Sequence, residues 1–298
     1  MPRTYQDILA SRIAGLPENT DSFRVIDGEA DGYPNLFIDR FGDRTLISTR
    51  DRDIPHQLLQ QIVSEAGPVY HKRLDQDDKQ PPVPIAHAGD STPLQFHIVE
   101  QGVRFLIDMG AGYSQGIFLD QRDNRRRVRQ ACRPGMRILN TFAYTGAFSV
   151  YAALGGAITT TLDLAQPCLD WARQNFLLNA LEPDEHYFCK GDALHWLDRF
   201  AKQQRTFHGI ILDPPTFSRD KNGKVFRVEC HYGDLVSKAI ACLEPGGWLL
   251  CSTNCRKLSH RDFRIMVASA APGADLRHDP MPFDFPGEDY LKCLFVQF

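Results

Sequence analysis

No apolar run in the 298 residues approaches the roughly 18 that a membrane span needs, so no membrane partner is expected. The opening stretch, MPRTYQDILASRIAG, lacks the apolar core and small-residue cleavage site of a secretory signal. The eight cysteines include no Cys-x-x-Cys pair, which argues against a zinc framework and against a disulfide scaffold. Cys251 and Cys255 are the closest pair, and their spacing at a strand end suits no metal. Reduced thiols in a cytoplasmic protein are the expectation. Basic charge is not in excess: 34 Lys and Arg stand against 37 Asp and Glu, for a net charge of −3. A nucleic-acid-binding surface, which usually leaves a basic footprint, would have to be local. There is no G-x-G-x-x-G turn to cradle a dinucleotide pyrophosphate, and no internal repeat.

What is present suffices for two domains, since 43% of the residues are hydrophobic and 24% charged. Residues 1–22 read as an amphipathic helix or arm, with Ile8, Leu9, Ile13 and Leu16 apolar. Residues 23–93 read as a small α+β domain. Its strands are expected around Phe23–Ile26, Leu36–Ile38, Leu46–Ile47 and Val69–Arg73, with a helix near Ile54–Glu65. The polar, Pro-rich run at 75–93 reads as a linker or long loop. Residues 94–298 read as the larger domain. It opens with a hairpin across Glu100-Gln101-Gly102 and then alternates helix and strand from Leu119. That alternation predicts an α/β fold with a doubly wound, mainly parallel sheet.

In such sheets ligands bind beyond the carboxyl ends of the strands, so the residue after each strand carries the information. After the first comes Asn140-Thr-Phe-Ala-Tyr-Thr-Gly146, where a residue without Cβ allows a tight turn against a ligand. After the second comes Asp163, a carboxylate able to accept both ribose hydroxyls of a nucleoside. After the third comes Asp192, an acceptor for an adenine amino group. After the fourth comes Asp213-Pro214-Pro215. Each Asp alone reads equally as a helix cap or loop residue. The ordered set points to an adenosyl ligand. Phe142 and Tyr144 can meet a sulfonium by cation–π contact, or can simply be core aromatics.

The stretches GIFLDQRDNRR (116–126), NTFAYTGAFSVYAALGGA (140–157), LDLAQPCLDWARQNFLLN (162–179), GDALHWL (191–197) and LDPPTFS (212–218) together resemble the bacterial 23S ribosomal RNA large-subunit methyltransferases. The resemblance runs from about Phe23 to the C-terminus and covers two branches. One makes 5-methylcytosine and carries a PUA domain, of which no stretch here is reminiscent. The other is the guanine-N7 half of a fused bifunctional enzyme. The resemblance implies a Rossmann-like class I fold and S-adenosylmethionine as cofactor. It implies that Phe118, Asp120, Gln121 and Arg122 lead into the cofactor pocket. Asn140, Phe142, Tyr144, Thr145 and Gly146 would wrap the methionine end, and Asp163, Leu164, Asp192 and Ala193 would read the nucleoside. Asp213, Pro214 and Pro215 would form the floor beside the target base. RNA, and large-subunit ribosomal RNA in particular, is the implied partner of a monomer or homodimer.

The base is a separate question. Methylating C5 of a pyrimidine calls for a Cys nucleophile, because that carbon is otherwise a poor one. In Cys251-Ser-Thr-Asn-Cys-Arg-Lys257, alignment places Asn254 at that position, with Cys255 one residue on. A one-residue slip on an extended segment reverses the side chain. Guanine N7 or another nitrogen is therefore expected, with Cys255-assisted 5-methylcytosine formation, a protein or small-molecule substrate, and a non-catalytic assembly factor as alternatives. Arg219, Lys221, Lys224 and Arg227, with Arg256 and Lys257, are the candidate phosphate contacts. Arg122, Arg125, Arg126, Arg129 and Arg133 form a helical stripe that serves either phosphate binding or a solvated face.

Overall fold

The computed structural model describes residues 4–298 except 66, 76–79, 90, 113 and 220–224. It divides into two compact units. The first comprises residues up to Arg122 together with Pro282–Glu288; the second comprises Asp123–Met281 and Asp289–Phe298.

In the first unit, helix α1 (Tyr5–Gly15) begins at a capping box. The Thr4 hydroxyl accepts the Asp7 N–H, and the Asp7 carboxylate accepts the Thr4 N–H. Tyr5 and Ile8 are fully buried in the core, so of the two readings of this stretch, helix or arm, the structure has the packed helix. Strands β1 (Ser22–Asp27), β2 (Leu36–Phe41) and β3 (Arg44–Thr49) follow, then helix α2 (His56–Val63), β4 (Val69–Arg73) and β5 (Val83–Ala86). They form one sheet in the order β1-β2-β3-β4-β5, antiparallel except between β3 and β4, which α2 connects. The Pro-rich run thus contains a strand, paired with β4, where a linker or long loop was expected.

Strands β6 (Gln95–Glu100) and β7 (Val103–Asp108) form the expected hairpin, but it belongs to this first unit. The boundary expected near residue 94 falls at Arg122 instead. Hydrogen bonding explains the difference: the Asp21 carboxylate accepts the Val99 N–H at 2.8 Å, and the Asp21 N–H donates to the Val99 carbonyl at 2.9 Å. The Arg44 guanidinium also sits 3.6 Å above the Phe96 ring. Buried ion pairs complete the unit, Arg12 with Asp31 and Arg122 with Asp284.

Helix α3 (Arg122–Ala131), which a 3-10 turn at Leu119–Gln121 precedes, enters the second unit at Asp123. The chain then alternates as read: β8 (Arg137–Thr141), α4 (Ala147–Leu154), β9 (Ile158–Asp163), α5 (Gln166–Leu178), β10 (Tyr187–Lys190), α6 (Ala193–Lys202) and β11 (Phe207–Leu212). A small hairpin, β12 (Phe217–Arg219) with β13 (Val225–Arg227), leads into α7 (Val228–Ile240). Then come β14 (Leu243–Thr253), α8 (His260–Ala270), β15 (Asp275–His278) and β16 (Lys292–Gln297).

The sheet order is β10-β9-β8-β11-β14-β16-β15. The first five strands are parallel and β16 runs against its neighbours, so the sheet is doubly wound and mainly parallel. Its central strands are covered on both faces. Leu139, Ile210, Leu212 and Leu249 pack into one core, whereas Ile138, Ile211 and Leu250 pack into the other. Alternate residues of a strand point to opposite faces, and helices on both sides bury them. The chain leaves β8 toward β9 and returns to β11 on its other side. The crevice at the carboxyl ends of β8 and β11 is therefore the switch point.

Candidate active site

The turn after β8 is held in an unusual backbone conformation. Phe142 and Tyr144 adopt positive φ of 53° and 50°, and Gly146 follows at 74°. Each left-handed non-glycine residue costs on the order of 1 kcal/mol, strain that is characteristic of functional turns. Gly146 is required twice over, since a Cβ there would also meet the Ala172 Cβ at 2.7 Å. The Phe142 and Tyr144 rings are half-buried. Phe142 lies 6.2 Å from the Phe226 ring, and Tyr144 lies 6.2 Å from that of Trp171.

Asp163, at the end of β9, closes the turn. Its carboxylate accepts the Tyr144 N–H at 2.8 Å and the Ala165 N–H at 2.9 Å. Burial pushes its carboxyl above the ordinary carboxylate value, although the N–H groups of Ala165, Tyr144 and Leu164 favour the charged form. Leu164 is exposed beside it. Asp192 caps α6 by accepting the His195 N–H at 2.9 Å, so the helix-cap reading of this residue holds. Ala193 is buried behind it.

Two of the candidate residues are turned inward. The Asn140 amide donates to the Ser149 hydroxyl at 3.0 Å, tying β8 to the first turn of α4. Thr145 is 1% exposed, and its carbonyl accepts the Asn175 amide at 2.9 Å. Asn175 is thus a further residue that holds this turn. The signal available was a polar residue among Leu169, Ala172 and Phe176 on the buried stripe of α5.

At the end of β11, Pro214 restricts Asp213 to extended backbone, which fixes the direction of its carbonyl. Pro214 is buried, whereas Pro215, Thr216 and Phe217 face solvent. At the end of neighbouring β14, Asn254 is exposed and Cys255 is 3% exposed within the core. The Cys255 N–H donates to the Thr253 hydroxyl, and its carbonyl accepts the Lys292 ammonium at 2.9 Å. Burial pushes the nearby Cys251 thiol up to about 12, which makes it unreactive.

Beneath both strand ends lies Tyr232 of α7, fully buried, with its hydroxyl on the Leu212 carbonyl. Burial also raises this phenol well above its ordinary value. Nothing in sequence distinguishes a core tyrosine that aims at two strand ends.

The basic residues divide. Arg227 is exposed, its guanidinium 5.7 Å from the Phe217 ring, and Lys257 is exposed near Glu229. Arg256 lies over the Tyr290 ring. Arg219 ends β12, and Lys221 and Lys224 lie outside the described residues. The helical arginine stripe is not a uniform face. Arg122 and Arg125 are 1% and 2% exposed, whereas Arg126, Arg129 and Arg133 face solvent. Phe118, Asp120, Gln121 and Arg122 belong to the first unit, where Arg122 is committed to Asp284.

The S-adenosylmethionine-dependent methyltransferase family matches residues 72–290. The chain belongs to that family. Among relatives of this methyltransferase is ribosomal RNA large subunit methyltransferase I of Erwinia tasmaniensis, 33% identical over 87% of this chain and 67% of its own. Ribosomal RNA large subunit methyltransferase K/L of Alcanivorax borkumensis is 42% identical, over 55% of this chain and 23% of its own. A solved structure of SMU.776, assigned as a methyltransferase and complexed with S-adenosylhomocysteine, superposes with a TM-score of 0.85. It is 27% identical and covers 99% of this chain and 79% of its own. S-adenosylmethionine is the cofactor, and the strand-end donor set of the methyltransferase fits it. Carboxylates at 163 and 192 suit a nucleoside, the rings at 142 and 144 suit a sulfonium, and no glycine-rich turn invites a pyrophosphate.

Proposed function

We propose that this methyltransferase modifies large-subunit ribosomal RNA at a ring nitrogen of a base. The observation that carries the reading is the opposite burial of Asn254 and Cys255 at the end of β14. A pyrimidine carbon needs a thiolate, and the only cysteine adjacent to the aligned position packs into the core. A ring nitrogen such as guanine N7 carries its own lone pair and needs none. Bound S-adenosylmethionine supplies an electrophilic methyl group.

The chain's own residues then orient and exclude water. Asp163 accepts from the ribose, and Asp192, whose carboxylate also caps α6, accepts from the adenine. Phe142 and Tyr144 face the sulfonium. Asp213 and the Pro214–Pro215 backbone form a rigid floor, and the Asn254 amide holds the base edge by hydrogen bonds. Positioning of this kind accounts for most of the rate when the nucleophile is already competent. Arg227, Lys257 and Arg256 contact phosphate. The names of the Erwinia and Alcanivorax relatives support ribosomal RNA as the substrate class.

The test is transfer of radiolabelled methyl groups to total RNA and to protein from cells lacking the gene, followed by nucleoside analysis of the labelled RNA. Label in large-subunit RNA as an N-methylated base is the expected result. Label recovered as 5-methylcytosine would overturn the choice of base, and label in protein would overturn the choice of RNA.

A further inference from the structure

Three residues that the strand-end chemistry does not use converge elsewhere on the second unit. His260 is the first residue of α8, His278 the last of β15, and Asp289 lies just before β16. Their ligand-capable atoms all lie within 4.8 Å of one another. His260 Nε2 is 3.1 Å from a carboxylate oxygen of Asp289, and the two imidazoles meet edge to face with centroids 4.9 Å apart. His278 Nδ1 lies 3.1 Å from the Cys293 carbonyl. A carbonyl can only accept, so Nδ1 carries the proton and Nε2 keeps its lone pair. An imidazole fixed through its other nitrogen by a backbone carbonyl is the usual form of a metal-ligating histidine.

We propose that His260, His278 and Asp289 bind a divalent transition-metal ion of the zinc class. Two imidazoles and one carboxylate suit zinc and its neighbours, whereas magnesium and calcium want oxygen ligands throughout. Metal–ligand bonds of roughly 2.0–2.2 Å place tetrahedral ligand atoms about 3.3 Å apart. The His260–Asp289 pair already has that spacing. The His278 nitrogen, within 4.8 Å of the other two ligand atoms, has at most about 1.5 Å to move, a side-chain rotation at an exposed position. Three protein ligands leave a fourth place for water. His260 Nε2 also lies 3.0 Å from the Asp289 carbonyl, so in the metal-free form it donates its proton to Asp289. To offer the Nε2 lone pair to an ion, the neutral ring takes its Nδ1-protonated tautomer, and Nε2 turns from the Asp289 oxygens to the metal.

The ion would join the start of α8, the end of β15 and the run into β16. That run also places Tyr290 under Arg256 and sends the Lys292 ammonium to the Cys255 and Tyr290 carbonyls. A metal there braces the segment that follows β14.

Tag-free, chelator-stripped protein titrated with Zn²⁺ by calorimetry, and with Co²⁺ by visible absorption, tests the site. One ion per chain is expected, with the intense d–d bands of tetrahedral cobalt. His278→Ala and Asp289→Asn should each weaken binding by about tenfold or more while far-UV circular dichroism is unchanged. Cys230→Ser, which removes an exposed thiol elsewhere, should leave binding intact. Absence of stoichiometric binding in the wild type, or affinity undiminished in both site variants, would overturn the proposal.

Discussion

The buried hydroxyl of Tyr232 donates to the Leu212 carbonyl at 2.8 Å. The Ser252 carbonyl is 3.1 Å from the same oxygen, so one proton is shared between the ends of β11 and β14. Those two ends carry Asp213 and Asn254.

Tyr232→Phe should therefore do more than loosen a core. Leaving two buried carbonyls without this donor should lower stability by roughly 1–3 kcal/mol, read from urea unfolding. Turnover should fall while the KM for S-adenosylmethionine stays within about twofold, because the cofactor's nucleoside contacts lie on other strands. Unchanged turnover in the folded variant would leave Tyr232 a packing residue only.

Asp163 gives a pH prediction. Burial raises its folded value above the unfolded one near 3.8, so protonation favours the folded state. That contribution is complete below the unfolded value and is lost as pH rises through the raised folded value. The stability of the wild type relative to Asp163→Asn should accordingly grow as pH falls from neutral, as measured by urea midpoints across a pH series. Cofactor affinity should move the opposite way, weakening as the carboxylate protonates. At neutral pH, Asp163→Asn should weaken S-adenosylmethionine binding by about 1–3 kcal/mol in calorimetry. Equal affinity in a folded variant would remove the ribose assignment.

Asn254 and Cys255 can be separated directly. Cys255→Ser should retain most activity, and no covalent adduct should form with RNA carrying a 5-fluoropyrimidine. Asn254→Ala should lower turnover by about tenfold, equivalent to one lost hydrogen bond of about 1.4 kcal/mol. An inactive Cys255→Ser variant together with a trapped wild-type adduct would move the reaction to C5 of a pyrimidine.

Arg227→Glu combined with Lys257→Glu should weaken RNA binding and flatten its dependence on salt by about one to two in the log–log slope, with cofactor affinity kept. Filter binding at several salt concentrations would show it. An unaltered slope would return both residues to a solvated face.

The parallel sheet was legible because its order is written in local patterns: apolar runs bounded by turn residues, with an acid after three successive strands. Asp163, Asp192 and Asp213 stand at strand ends as read. What was not legible depends on distant partners. Arg122 and Arg125 carry the same charge as Arg126, and only the folded chain shows which are buried. The hairpin at 95–108 has no local mark that assigns it to the first unit, because Asp21 decides that from far upstream. The need for a residue without Cβ at Gly146 was legible as a tight turn, but not that Ala172 is what closes on it, and the positive φ of Phe142 and Tyr144 was not legible, since it is uncommon for aromatic residues. His260, His278 and Asp289 share no motif spacing at all.

Asp284 has a consequence for biosynthesis. It accepts the Arg24 N–H at 3.0 Å and pairs with the buried Arg122 guanidinium, although it lies 260 residues beyond the first and 162 beyond the second. A ribosome delivers Arg24 and Arg122 long before it delivers their carboxylate. Until then the Arg122 guanidinium would have to be buried without its counter-ion, which typically costs about 3–5 kcal/mol. The N-terminal unit is thus expected to wait, incompletely folded, until residues 282–288 have emerged. A fragment cut at residue 122 would be a poor expression target, whatever the compactness of its sheet.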